Sequence, residues 1–283
     1  MIIQQNAYCK QNDLNMLLTG ATKIVNNSSI QSIRNNLYAS YASLIQANFT
    51  ACQNIGSAAF YSCASLTEVN FPKCTSINYQ AFYHCISLKK ADFPECTLIE
   101  SLTFGYCSSL QEANFPVCTS IGGSAFYKCG SLAKISFPAC TNISAYAFAN
   151  TALTEVDLPA CTTLGGRAFS GCTSLTKVNL PACTSISNGA FLVCRALTSV
   201  NIPACTYLGY EIFINCNNLI NLTLGGSSVC TLAASTIFDS TPIAGYSDIA
   251  GQYGSIYVPA SLVTDYQTAD QWSYFASRIK SYT

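Results

Sequence analysis

Charge is scarce in this 283-residue chain: 13 basic and 13 acidic side chains make up 9% of it and cancel to a net charge of zero. Nucleic acids and anionic lipids are bound through clustered Lys and Arg, so the sequence carries no footprint for either partner. Histidine occurs once, at His84, which leaves a Ser-His or Cys-His nucleophilic pair almost nothing to be built from. Tryptophan also occurs once. No stretch reaches the roughly 20 apolar residues that a membrane-spanning helix needs. The opening Met1-Ile2-Ile3-Gln4-Gln5 lacks the basic start and apolar core of a secretory signal.

What is present repeats. From Leu66 the chain reads LTEVNFPKCTSINYQAFYHCIS, then LKKADFPECTLIESLTFGYCSS, then LQEANFPVCTSIGGSAFYKCGS. Leucines at 44, 66, 88, 110, 132, 153, 175, 197 and 219 hold this register, with one deleted residue between Leu132 and Leu153. A period in this range predicts a solenoid, whose length grows with copy number rather than by adding globular domains. Within a unit, Val69 and Phe71 flank polar Asn70, the alternation of a strand with one buried face. Pro72 and its equivalents cannot donate to a ladder and end each strand. Ile77, Ala81, Phe82 and Cys85 then follow spacings of about four and three, which suits a short helical or irregular return. One unit cannot bury its own apolar face, so each copy covers its neighbour.

Seventeen cysteines raise the question of disulfides or metal. Fifteen fall on two ladders: Cys52, Cys74, Cys96, Cys118, Cys140, Cys161, Cys183 and Cys205, and Cys63, Cys85, Cys107, Cys129, Cys172, Cys194 and Cys216. Only Cys9 and Cys230 stand outside them. Free cysteine behaves as a small buried hydrophobe. Bridging the ladders within each repeat would strand a partner where Thr151 replaces a cysteine, so unpaired buried thiols are expected, with disulfide staples as the alternative. Zinc sites need ligands two to four residues apart, which these ladders do not offer. No metal or cofactor is expected.

The ends read as caps. Residues 1–43 comprise a short segment over 12–18, expected to be helical and to cover the end of the core, and a degenerate first half-repeat, with Tyr38 for Phe and Tyr41 for Cys. Residues 44–224 form the repeat array. Residues 225–283 form a closing segment: a loop over 235–255, a strand at Ile256-Tyr257-Val258, and short helices after Ser261, a plausible helix cap. Leu262, Val263, Tyr266, Trp272, Phe275 and Ile279 are expected to cover the last repeat, which makes Trp272 a structural anchor.

The motif L-x-x-V-x-F-P-x-C-T-x-I-x-x-x-A-F-x-x-C resembles the BspA-like leucine-rich repeat of bacterial surface proteins. Its second half stands as INYQAFYHC (77–85), IGGSAFYKC (121–129), LGGRAFSGC (164–172) and ISNGAFLVC (186–194), and the tail over 256–282 resembles the closing segment of gut-bacterial members. Local departures are Leu102-Thr103, Glu211-Ile212 and Thr151. The resemblance implies a right-handed leucine-rich repeat solenoid of about eight to nine 22-residue repeats, with mostly parallel strands. It also implies a cell-surface or extracellular location and adhesion to a host or neighbouring-cell protein or glycan, and it brings no catalytic residues to carry over.

Candidate binding residues lie on the strands. The third repeat position alternates in sign through Glu68, Lys90, Glu112, Lys134, Glu155 and Lys177. Two residues on, the same outward face carries Asn70, Asp92, Asn114, Ser136, Asp157 and Asn179. Stacked side chains about 5 Å apart favour opposite charges, and an open polar sheet is the surface repeat proteins use for extended recognition. Tyr61, Tyr83 and Tyr127, with Tyr79, Tyr146 and Tyr210 nearby, offer a second surface of amphipathic rings. A non-enzymatic binding module leads these readings. A structural or virion-borne spacer follows, and a hydrolase using paired carboxylates comes last. His84, in a variable slot, reads as incidental.

Overall fold

Each 22-residue turn carries two short strands rather than one. In the turn that starts at Leu66 these are Glu68–Asn70 and Ser76–Ile77. Between them Cys74 N donates to Phe71 O at 3.1 Å, closing a corner whose second residue is Pro72, the position for which a fixed φ is best suited. Successive copies pair in parallel at the 22-residue register, Gln46 with Glu68 and Asn54 with Ser76. The second strand escapes sequence reading because two residues are too few to display an alternation.

The structure, a computed structural model, describes residues 2–4, 23–246 and 252–282. The segment 12–18 and Cys9 lie outside them. The chain divides into two compact units, Met1–Phe137 and Pro138–Thr283. In the first unit, Ile2–Gln4, Ile24–Asn26, Gln46–Asn48 and Glu68–Asn70 form one parallel sheet, and Lys90–Asp92, Glu112–Asn114 and Lys134–Ser136 another. In the second, one sheet runs through Glu155–Asp157, Lys177–Asn179, Ser199–Ile202, Asn221–Leu224, Ser255–Val258 and Ile279–Ser281. The stacked strands therefore outnumber the eight to nine expected repeats. Upstream, Ile24-Val25-Asn26 keeps the register while losing the motif. Downstream, the last two strands pair although their spacing has drifted from 22 residues.

The returns are irregular rather than helical. From Asn78 to Cys85 the N–H groups of Ala81, Tyr83 and Cys85 close tight turns on the oxygens of Asn78, Gln80 and Phe82, each at 3.1 Å. Those of Gln80, Phe82 and His84 cross to Ser101, Thr103 and Gly105 of the next repeat at 3.2, 2.8 and 2.8 Å. Gln80 and His84 have φ of 56° and 62°, the left-handed conformation that the third residue of a type II turn requires. A helix would use every donor within the segment. Here half of them tie one repeat to the next.

Inside the first unit two rows of phenylalanines interleave. Phe60, Phe82, Phe104 and Phe126 stack at 5.1–5.2 Å, and Phe49, Phe71, Phe93, Phe115 and Phe137 at 5.2–6.0 Å. In the second unit Phe148, Phe169, Phe191, Phe213 and Phe238 form a single row, faced by Leu158, Leu180, Ile202 and Leu224. Strand volume compensates. Ala47, Ala91 and Ala113 precede a phenylalanine and are buried, whereas Val156, Val178 and Val200 precede Leu or Ile and are equally buried. Where a branched residue precedes Phe, at Val69 and Ile135, it is only half-buried, contrary to the alternation read from sequence. Both side chains do not fit at native packing density.

The sixteen described cysteines are buried thiols, none of them in a disulfide. They do more than fill volume. Cys85, Cys107 and Cys129 each donate from Sγ to a phenylalanine carbonyl of the preceding repeat at 3.1 Å, whereas Thr151, in the same ladder position, donates from Oγ1 to Phe148 O of its own turn at 2.9 Å. The other ladder bonds within its own turn, as in Cys74 Sγ to Ser76 O at 3.3 Å.

At the C-terminal end the 3-10 turn Ser235–Phe238, inside the expected loop, extends the phenylalanine row. Trp272 is an anchor, as expected: it is 1% exposed, and its Nε1 donates to Cys230 O at 2.6 Å. Tyr266 Oη accepts Cys230 N at 2.9 Å. Ser261 is not a cap. It lies inside the turn Ala260–Leu262, and the helix Val263–Thr268 starts after Leu262 with no side-chain cap.

Candidate recognition face

The polar positions of the strands emerge on one side of each unit because a strand sends alternate side chains to opposite faces. Pairing places Glu112 between Lys90 and Lys134 and Glu155 beside Lys177. The alternating charges are realised only in part. Lys134 Nζ reaches Glu112 Oε1 at 3.7 Å, but Lys90 Nζ turns to Asp92 Oδ2 of its own strand at 3.0 Å. Glu68 accepts Gln46 Nε2 at 3.2 Å, and among the described residues Glu155 and Lys177 form no ion pair. All of these side chains are well exposed, so each contact contributes at most about 1 kcal/mol.

The row two residues on is linked along the stack. Asn70 Nδ2 donates to Asn48 Oδ1 at 2.8 Å, and Asn114 Nδ2 to Asp92 Oδ1 at 2.9 Å. In the second unit Asn179 donates to Asp157 at 2.8 Å and Asn201 to Asn179 at 2.7 Å. Among the described residues each amide keeps a second N–H, and Asn70 and Asn114 keep their side-chain oxygens, as free hydrogen-bonding capacity. Burial works to raise the Asp92 carboxyl, but the Asn114 and Lys90 donors outweigh it and hold it below the usual carboxylate range. Its hydrogen bond and charge raise Lys90 in turn. An acid kept ionised in this way is the reverse of the protonated general acid that glycoside hydrolysis requires.

Two shallow hollows open on this face. One, of about 380 Å³, is lined by Glu68, Val69, Asn70, Lys90 and Asp92. It lies where the sheet hydrogen bonding is interrupted between Glu68–Asn70 and Lys90–Asp92, although Lys89 N still donates to Thr67 O at 3.3 Å. The other, of about 420 Å³, is lined by Glu155, Asp157, Lys177, Asn179 and Asn201 in the second unit. Ser136 stands exposed at the end of its strand, outside both. Among the described residues no cluster of His, Cys, Asp or Glu is disposed to hold a metal, and no helix is long and apolar enough to cross a membrane.

The tyrosine surface is differently built from the sequence expectation. Tyr61 and Tyr83 stack at 5.4 Å, and Tyr106 and Tyr127 continue the row edge-on at 5.4 and 5.5 Å. Tyr106 goes unnoticed in sequence because it sits one position later in its repeat. The stacked faces of Tyr61 and Tyr83 are spent on each other, and Lys128 Nζ covers Tyr106 and Tyr127 at 5.3 and 5.5 Å. His84 is exposed beside Tyr83 and Tyr106, with no carboxylate partner among the described residues.

Comparison with known proteins agrees with this architecture. The family model described as the BspA type leucine rich repeat region matches in six copies over residues 31–150 and 141–247. A leucine-rich repeat protein from Bacteroides ovatus superposes with a TM-score of 0.58 at 21% identity, over 92% of this chain and 78% of its own. A leucine rich cell surface protein from Faecalibacterium prausnitzii gives a TM-score of 0.54 at 20% identity, over 93% and 88%. A comparison with curated proteins gives no match. The family match covers most of the chain, and the parallel solenoid turns supply its structural counterpart: this chain belongs to the BspA-type leucine-rich repeat family.

Proposed function

We propose that the chain is a non-enzymatic recognition module of a bacterial surface or secreted protein. It binds a host or neighbouring-cell protein or glycan through the strand face that carries Glu68, Asn70, Lys90, Asp92, Glu112, Asn114, Lys134 and Ser136 in the first unit, and Glu155, Asp157, Lys177 and Asn179 in the second. The observation that carries this reading is the hydrogen-bonding capacity left over on an in-register polar face, at Asn70 and Asn114 above all. Mixed charge on the face suits specificity and register rather than strong electrostatic attraction. The surface location rests on the family and on the cell-surface description of the Faecalibacterium prausnitzii protein.

A repeat spacer without its own ligand is the second reading. The internal bonding of the face favours it, since Lys90, Asp92 and Asn114 already satisfy much of one another's demand. An array of immobilised glycans and extracellular-matrix proteins, probed with the reduced protein, separates the two. Saturable binding to one class of ligand supports recognition. Uniform background across the array rejects it in favour of the spacer.

A further inference from the structure

The return side of the second unit departs from the repeat pattern over three consecutive turns. Gly189, with φ of 64°, lacks a side chain where Arg167 and Glu211 occupy the equivalent positions one turn before and one turn after. A Cβ on Gly189 would stand 3.1 Å from Arg167 Cγ and 3.5 Å from its Nε. The bare glycine therefore lets the Arg167 side chain lie flat across it and meet Glu211, two turns away, with Nη2 and Oε2 3.6 Å apart. Gly166 also lacks a side chain, where a Cβ would stand 3.3 Å from Asn188 O. Asn188 uses Oδ1 to accept Tyr210 N at 3.0 Å, which leaves both N–H groups of its amide without a partner among the described residues.

The result is an open hollow of about 570 Å³ with Gly166 and Asn188 in its lining, the Arg167–Glu211 pair along one side, and Tyr146 and Tyr210 at its ends. The turns are tied together by Tyr146 N to Gly166 O at 3.0 Å, Arg167 N to Asn188 O at 2.9 Å and Gly189 N to Tyr210 O at 2.8 Å. Three strand spacings separate the tyrosines, about 14 Å. Tyr210 is 53% exposed and Tyr146 40%.

We infer that this hollow is a binding site for a neutral saccharide two to three rings long, separate from the strand face. Its single cation and single anion cancel, which disfavours charged ligands. Exposed tyrosines offer apolar contact together with a hydroxyl. Arg167, Glu211 and the Asn188 amide supply the few fixed polar groups that orient a ligand in a site of this size. A sugar ring, with hydroxyls around its rim and C–H bonds on its faces, matches that mixture.

Saturation-transfer NMR on the full chain tests the inference, with millimolar lactose, N-acetyllactosamine, cellotriose, xylotriose and maltotriose as neutral probes and sialyllactose as the charged one. The expected result is transfer to at least one neutral probe. It should weaken at least tenfold in Tyr210→Ala and in Arg167→Asn, a residue that tolerates the positive φ found there. It should persist in Tyr210→Phe, which keeps the ring, and in the Asp92→Ala/Asn114→Ala/Lys134→Ala variant of the strand face. Transfer to none of the neutral probes would overturn the inference, as would transfer that survives both Tyr210→Ala and Arg167→Asn in proteins with native circular dichroism.

Discussion

At the residue scale the cysteines explain most about how this core is held. Burial pushes the Cys107 thiol up to about 12, with a backbone hydrogen bond opposing it only in part, and Cys63, Cys96 and Cys216 behave alike. The folded state therefore favours the protonated thiol. Its contribution is complete below about pH 9, where an unfolded thiol ionises, and is lost as the pH climbs toward 12. Circular dichroism should show alkaline unfolding between those limits, and a thiol reagent at neutral pH should leave the ladder cysteines untouched until denaturant is added. Removing one donor, as in Cys107→Ala, should destabilise by about 1–2 kcal/mol in urea titrations, from a lost hydrogen bond and a small cavity. The paired strand positions make a second test. Ala91→Val alone should overpack and cost about 1–3 kcal/mol, and combining it with Phe93→Leu, which recreates the second unit's Val-Leu pairing, should restore part of the loss through favourable coupling.

At the scale of elements, the strand ending in Phe-Pro was legible because proline and alternation both act locally. The return was legible only as a set of buried positions. Ile77, Ala81, Phe82 and Cys85 are all buried, but their spacing does not distinguish a helix from a run of tight turns. The deciding fact is the donation of alternate N–H groups to the next repeat, which lies 22 residues away. The N-terminal turns were missed for a related reason: a parallel ladder needs only register and a buried alternate residue such as Val25. The closing segment was legible in its apolar residues but not in its contacts, since the clamp on Cys230 comes from Tyr266 and Trp272, 36 and 42 residues later. Trp272→Ala should destabilise the second unit by about 3–5 kcal/mol and lower its thermal midpoint, measured by calorimetry.

At the scale of the whole molecule, the scarcity of charge on an otherwise polar surface limits long-range attraction, so binding should depend weakly on salt compared with a basic nucleic-acid-binding protein. The candidate strand residues were legible from repeat position alone, because pleat and register fix which side of a strand they occupy. Their partners were not: Lys90 joins Asp92 on its own strand at 3.0 Å, a rotamer choice that repeat position does not encode. The hollow beside Arg167 was illegible for the same reason, since only the stacked turns show that a glycine lies beneath the arginine. We propose that the strand face recognises a ligand. The most direct test compares the native chain with the Asp92→Ala/Asn114→Ala/Lys134→Ala variant against the array ligand that binds best, with folding checked by circular dichroism. A folded variant whose affinity falls at least tenfold is expected, and unchanged affinity in a folded variant would rule out recognition by the strand face.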